Sequence, residues 1–311
     1  MMIRPFDLRD VPLVAQLENL GTSLDAELAL TQKTRALPSA LTAFLSLNSH
    51  GPRTYVCRSH HGERLIGLAQ MHPRRGTTRG YIALIAPALI SGDGVETIWL
   101  DLLEYVGADA ARLGLHHLIA EASEEGEEVE VLRQAGYAVY LRRDILRLDA
   151  AHGLAPVHGA LRECQDADIW AVQQLYFNTA PRLAHVAEGM PRAGPSGARG
   201  YVYYQTKGEL AAYVEVRRGS QGAWINLMIH PDAESRATEI IRQVLGELGS
   251  SWDRPIFCGV RRYQEWLRRP LETLGFQAFG ATVLMVKHLV AHVAAPEVVV
   301  PIDPRVEVTP T

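Results

Sequence analysis

Two long stretches of the chain carry apolar residues at helical spacing. In the first these are Val95, Ile98, Trp99, Leu102, Leu103, Val106, Ala110 and Leu113, and in the second Ala237, Ile240, Ile241, Val244, Leu245 and Leu248. Intervals of three and four predict a helix with one buried face in each case. Gly114 and Gly249 follow as C-terminal stop residues. A short apolar run closed by a proline, Pro87 or Pro231, precedes each helix, and another short run, LHHLIAEA or PIFCGV, follows it. Further upstream, runs rich in Tyr and Val lead through His61-Gly62 or Lys207-Gly208 into LIGLAQM (Leu65–Met71) or LAAYVEV (Leu210–Val216). Runs of this kind separated by glycine turns predict a meander of antiparallel strands.

The two patterns belong to one repeat. IRPFDLRDVPLVAQL, from Ile3, aligns without gaps with LRECQDADIWAVQQL, from Leu161, so that Arg4 meets Arg162 and Asp10 meets Asp168. RTYVCRSHHGE matches RGYVYYQTKGE, IALIAPA matches INLMIHPDA, and LRQAGYAVY matches LETLGFQAF, all in the same order. Each copy opens with a strand, then an Asp suited to N-capping, then a helix with apolar Val11, Val14 and Leu17 or Ile169, Val172 and Leu175. We therefore expect an α/β fold in two tandem domains, 1–149 and 158–290, each a mostly antiparallel mixed sheet flanked by helices. The tail 291–311, with prolines at short intervals among valines, is expected to be extended and outside any central strand.

Composition narrows the function. A chain of 311 residues, 47% hydrophobic and 21% charged, is long enough for two cores of about 150 residues. A net charge of -4 gives no overall field for nucleic acid or an anionic membrane, so neither is expected as a partner. Cys57, Cys164 and Cys258 lie far apart without CxxC spacing and read as buried reduced thiols. The first ten residues are charged and no run of eighteen apolar residues occurs, so the expected location is cytoplasmic. The adjacent pairs His60-His61 and His116-His117 would point to opposite faces of a strand, and no metal site is expected. Neither a G-x-S-x-G elbow nor a Gly-Lys-Ser/Thr phosphate loop is present.

The order of elements, closed in both copies by Gly136-Tyr137 and Gly275-Phe276, resembles the GNAT acetyltransferases across almost the whole chain. That resemblance implies acetyl-CoA in a cleft where the strand before the long helix parts from its neighbour. It implies cofactor contacts from Leu84, Ile85 and Ala86 in the first copy and from Leu227, Met228 and Ile229 in the second, with pyrophosphate at the helix N-terminus. The family's phosphate loop is weakened in both. The first copy keeps Gly92 and Gly94 but has Leu89 where Gln or Arg is expected and Asp93 beside the phosphate position. The second has no glycine, Ala237 in place of the first one, and Arg236 as its local cation. On this basis the first cleft is the better candidate. The tyrosine that the family places four residues before Gly-Phe to protonate the CoA thiolate is replaced by Leu132 and Leu271, and its upstream asparagine by the acidic run Glu124–Glu130. Tyr140 and Tyr263 lie near the vacated positions in sequence.

Glu121, Glu215 and His230 stand at strand ends as candidate bases, with ordinary surface placement as the alternative for each. Two segments lie outside the repeat: Pro181–Gly200, expected to be a lid or a surface loop, and the tail. Two function classes remain open. One is an acyl-CoA-dependent N-acyltransferase acting on a small-molecule or peptide amine, and the other is a catalytically silent pair of such domains that binds a ligand or a protein.

Overall fold

The computed structural model describes residues 1–32, 38, 40–41, 51–59, 65–74, 76–91, 94–149, 159–191, 198–205, 208–249 and 252–289. Its strands are β1 (Met2–Pro5), β2 (Thr22–Ser23), β3 (Arg53–Arg58), β4 (Leu65–Pro73), β5 (Arg79–Ala86), β6 (His117–Ser123), β7 (Ala138–Leu148), β8 (Leu161–Glu163), β9 (Ala198–Tyr204), β10 (Leu210–Arg218), β11 (Ala223–Ile229), β12 (Ile256–Arg261) and β13 (Gln277–His288). Its α-helices are α1 (Val11–Leu17), α2 (Ala26–Thr31), α3 (Val95–Arg112), α4 (Glu128–Gln134), α5 (Ile169–Thr179), α6 (Arg182–Glu188), α7 (Ala237–Leu248) and α8 (Arg268–Thr273).

All thirteen strands join in one sheet, in the order β1-β3-β4-β5-β6-β13-β7-β12-β11-β10-β9-β8, with β2 alongside β5. Under the sequence repeat this order is a palindrome. Its centre lies between β13 and β7, where Thr282 pairs with Arg143. Those two residues follow Gly275 and Gly136 at the same distance in sequence, so a pseudo-twofold axis passes between them. The closing strands are exchanged: β13, from the second copy, pairs with β6 of the first, and β7, from the first, pairs with β12 of the second. Among the described residues, only β5–β6 and β11–β12 are parallel pairs.

The long helices bury the faces their spacing predicts. Trp99, Leu102, Leu103 and Val106 of α3 pack against one side of the first half-sheet, and Ile240, Ile241, Val244 and Leu245 of α7 against the same side of the second. Leu132 and Leu271 belong to these two cores and are fully buried. The leucines therefore fill packing space, and no hydroxyl from either position reaches a cleft.

The repeated opening also has one physical basis. Arg4 makes a two-pronged contact with Asp10 at 2.8 and 2.9 Å, and Arg162 makes the same contact with Asp168 at 2.7 Å for both. In each copy the carboxylate also accepts a backbone N–H three residues upstream, from Asp7 or Gln165, and fixes the entry into the helix. On the opposite side of the sheet, α2 and α6 reach across the axis. Leu30 of α2 packs with Trp224, Phe257 and Ile145, and Ala187 of α6 packs with Ile119, Tyr140 and Leu284. Arg79 of the first copy donates to the Ala187 carbonyl at 2.7 Å and to the Val186 carbonyl at 3.3 Å, capping α6.

Part of Pro181–Gly200 differs from the lid or loop expected of it: Arg182–Glu188 is helical, with Ala184 and Ala187 buried. Its residues 192–197, the tail 290–311, Gly92 and Asp93 lie outside the described residues.

Candidate functional site

Each half has a place where two parallel strands part. In the first, β5 and β6 pair from Arg79↔His117 to Tyr81↔Ile119 and then separate. In the second, β11 and β12 pair from Ala223↔Ile256 to Asn226↔Gly259 and then separate. The edges beyond the parting points are Leu84–Ala86 and Leu227–Ile229, the stretches that the resemblance assigns to the cofactor.

The first gap is filled by the chain itself. Thr22 and Ser23 pair antiparallel with Ile85 and Leu84. The Leu24 N–H donates to the Ala83 carbonyl at 3.0 Å, and the Leu24 carbonyl accepts from the Glu121 N–H at 2.8 Å, so residues 22–24 bridge both separated strands. Leu24 is 1% exposed. At Gly21 a Cβ would stand 2.8 Å from the Ile85 carbonyl oxygen, so glycine is what allows the backbone so close. Gly94, the first-copy phosphate-loop residue within the described chain, is the N-cap of α3 in a left-handed conformation (φ 82°), with open space where a Cβ would stand. The backbone edge that the resemblance assigns to acetyl-CoA in the first copy is thus already occupied.

Glu121 is engaged in the same plug. Buried at 7% exposure, it pairs with Arg143, accepts from the Thr282 hydroxyl at 2.6 Å and from the Ala26 N–H at 3.2 Å. Arg143 lies over the Trp224 ring, 4.7 Å from its centroid, and so ties the axis to the second half. A cavity of about 270 Å³ opens beside this cluster, between α2 and the start of β13.

In the second gap, among the described residues, no strand covers Leu227–Ile229. One side chain from the turn after β12 crosses it, and a second lies beside it. Gln264, 4% exposed, donates its amide to the Ile229 carbonyl at 3.3 Å, and Tyr263 packs against the cluster of Tyr176, Ala180 and Ala184, as does Met228 of the strand edge. The Ile229 carbonyl faces the gap, so strand alternation turns the Leu227 carbonyl the same way. Nothing in the sequence marks Gln264, a lone Gln in RRYQEW with no local signal, whereas Tyr263, one of the two tyrosines near the vacated acid positions, packs against the same cluster as Met228.

Below α6 lies a half-buried polar cluster. Glu188 accepts from Tyr140 Oη at 3.1 Å and Tyr176 Oη at 3.3 Å and pairs with Arg261 at 2.9 Å; Arg261 also donates to Tyr263 Oη at 3.1 Å. Burial, with the Glu188 carboxylate next, holds the Tyr140 phenol well above its usual value, so it stays protonated and donating. Tyr140 therefore anchors α6 and lies apart from the vacated acid position. His230 caps the turn before α7: its Nδ1 accepts the Asp232 N–H at 3.3 Å. Arg236 precedes α7 directly and approaches Glu239 at 3.5 Å.

Glu215 sits on β10 opposite Asn226, next to the parting point. The Tyr213 hydroxyl donates to it at 3.0 Å. Burial raises its pKa, the Tyr213 hydrogen bond opposes the rise, Glu27 from α2 adds to it, and Arg74 from the β4–β5 hairpin opposes it. Of the four candidate acid–base residues, Glu121 and Tyr140 are held in structural contacts and His230 in a cap, whereas Glu215 has one donor and an elevated pKa.

The cysteines are free thiols, Cys57 and Cys258 buried and Cys164 only partly. Among the described residues no group of three or more His, Cys, Asp or Glu is placed to hold a metal ion, and no helix is long and apolar enough to cross a membrane.

No family model matches the chain, and no curated protein matches it by sequence. Solved structures do match by shape. A tandem GNAT protein from the clavulanic acid biosynthesis pathway superposes with a TM-score of 0.53 at 16% identity, covering 92% of this chain and 98% of its own. A GCN5-related N-acetyltransferase from Sphaerobacter thermophilus gives 0.54 at 14% identity, covering 92% and 95%. A putative acetyltransferase from Pyrococcus horikoshii gives 0.53 at 15% identity, covering 93% and 90%. With its palindromic sheet and two parting strand pairs, the chain has the tandem fold of the GNAT acetyltransferases.

Proposed function

We propose that the chain is an acyl-CoA-dependent N-acyltransferase that works from its second cleft, with the first serving as a scaffold. The observation that carries this reading is the difference between the two gaps: residues 22–24 occupy the first, whereas among the described residues no strand enters the second and the Gln264 side chain crosses it. The choice reverses the preference that Gly92 and Gly94 suggest from sequence. The second gap suits an acyl-CoA arm because it offers the Leu227 carbonyl, a Gln264 amide that can exchange its bond to the Ile229 carbonyl for one to the arm, and Arg236 as a cation at the head of α7. The bound thioester supplies an activated acyl group. Glu215 takes the proton that the attacking amine loses, a task helped by its elevated pKa. Tyr263 Oη, hydrogen-bonded by Arg261, gives a proton to the departing thiolate. The acceptor is a small-molecule or peptide amine.

The experiment is release of free thiol from acetyl-CoA in the presence of a panel of primary amines. Glu215→Gln is expected to lower kcat/KM by about 10²-fold or more, and Tyr263→Phe to lower kcat with little change in KM. Thiol release no faster than the no-enzyme control with every amine, together with acetyl-CoA binding, would favour the silent ligand-binding reading instead.

A further inference from the structure

Five large apolar side chains stand out from the helix layer of the second half: Trp170 at 68% and Phe177 at 64% exposure on α5, Leu183 at 63% and Val186 on α6, and Met190 just beyond. They form one patch. Trp170 and Phe177 are two helical turns apart and share a side of α5. Phe177 stacks on His185 of α6 with ring centroids 5.2 Å apart. Gln173, between the two aromatics, donates to the Pro191 carbonyl at 3.0 Å, so the chain after α6 returns along α5. The inward residues Val172, Leu175, Tyr176, Ala184 and Ala187 are buried, which leaves the five facing out from an antiparallel helix hairpin. At 150–250 Å² for a fully exposed large side chain, they present roughly 500 Å² of apolar surface, a patch size that marks an interaction site on soluble chains. The fold does not demand it, because the repeat places Pro12 and Asn19 where the second copy has Trp170 and Phe177. The rim carries both signs, Asp166 ahead of α5 and Arg182 at the other end of the hairpin.

We infer that two copies of this chain dimerise through this face, their α5–α6 hairpins packing antiparallel about a twofold axis. Trp170 and Phe177 form the centre, and Asp166 of each copy faces Arg182 of the other. A stable interface covers about 800 Å² per partner with an apolar middle and a polar rim. The patch supplies the middle, and Asp166, Gln174, Asn178 and Arg182 supply the rim. An acid at one end and a base at the other is the arrangement that becomes self-complementary under a twofold axis, whereas a membrane-binding face carries a predominantly basic rim.

Sedimentation of the full chain across about 1–200 µM tests it, with a monomer–dimer equilibrium expected inside that range. Trp170→Glu with Phe177→Glu should raise the dissociation constant at least tenfold while leaving thermal unfolding of the monomer, measured at the dilute end of that range, unchanged, because both side chains are exposed there. Arg182→Asp should weaken the dimer, and adding Asp166→Arg should restore it. A wild-type chain monomeric throughout the range overturns the inference. So does a dimer indifferent to the aromatic substitutions, or a monomer that binds anionic vesicles through the patch.

Discussion

Replacing Asp25 with Asn reports directly on whether residues 20–25 lie inside the first gap. Asp25 is the N-cap of α2, and its carboxylate accepts the Leu28 N–H at 2.9 Å. An N-cap aspartate in water is favoured, and its replacement by Asn is neutral or costs up to about 1 kcal/mol. Here burial, with the Glu27 carboxylate next, pushes the carboxyl up to about 6 from 3.8. A carboxyl so displaced disfavours the folded, ionised form by about 3 kcal/mol. Part of Asp25 still touches solvent, so screening reduces the expected effect to ~1–2 kcal/mol. The sign follows from linkage: the folded state binds this proton more tightly, so stability from this group is greatest below about 4, declines as pH rises toward 6, and is level above. Asn keeps the capping oxygen without the charge. Urea unfolding at pH 8 should therefore show Asp25→Asn more stable than wild type by ~1–2 kcal/mol, with the advantage gone at pH 4. A variant less stable than wild type at pH 8 would mean that Asp25 is an ordinary solvated cap, and the filled first cleft would fall with it.

The paired Asp10→Asn and Asp168→Asn variants should each cost about 1–3 kcal/mol, the worth of hydrogen bonds to a charged partner. Asp168 is held below the usual carboxylate range chiefly by Arg162; at Asp10 burial acts upward, but Arg4 and Arg58 more than reverse it. Their stabilisation is thus present above about pH 4 and lost below it, so the double variant should show a flatter melting temperature between pH 5 and 2, and an unchanged slope would refute the pairing. At Gly259 a Cβ would stand 2.6 Å from Arg143 Cδ and 2.8 Å from the Trp224 ring. Gly259→Ala should cost ~1–3 kcal/mol by denaturant unfolding, and a neutral result would argue against Arg143 crossing the axis there.

Much of the half-sheet is legible in the sequence because its causes are local. Helix periodicity, glycine turns and the Arg4–Asp10 and Arg162–Asp168 pairs act within a few residues, and the repeat displays them twice. The exchange of β7 and β13 is not legible, because closing strands of similar apolar pattern can pair with either half and sequence does not name the neighbour. The plug is hidden for the opposite reason: Gly21, Ser23 and Asp25 have turn chemistry, and Leu24 is a single apolar residue among them. At the site, the edges Leu84–Ala86 and Leu227–Ile229 come from the family resemblance, and Glu215 and Tyr263 are named in the sequence only as candidates among several. The Glu188–Arg261–Tyr140–Tyr176 cluster joins four distant segments, and only the fold brings them together.

Calorimetric titration of the full chain with acetyl-CoA tests most directly whether one cleft is filled and the other is open to an acyl-CoA. One molecule should bind per chain, with affinity reduced about tenfold by Arg236→Glu and unaffected by substitutions at the exposed head of α3, such as Glu96→Gln. Two molecules per chain, or one that is insensitive to Arg236 and sensitive to Glu96, would contradict the assignment of the second cleft.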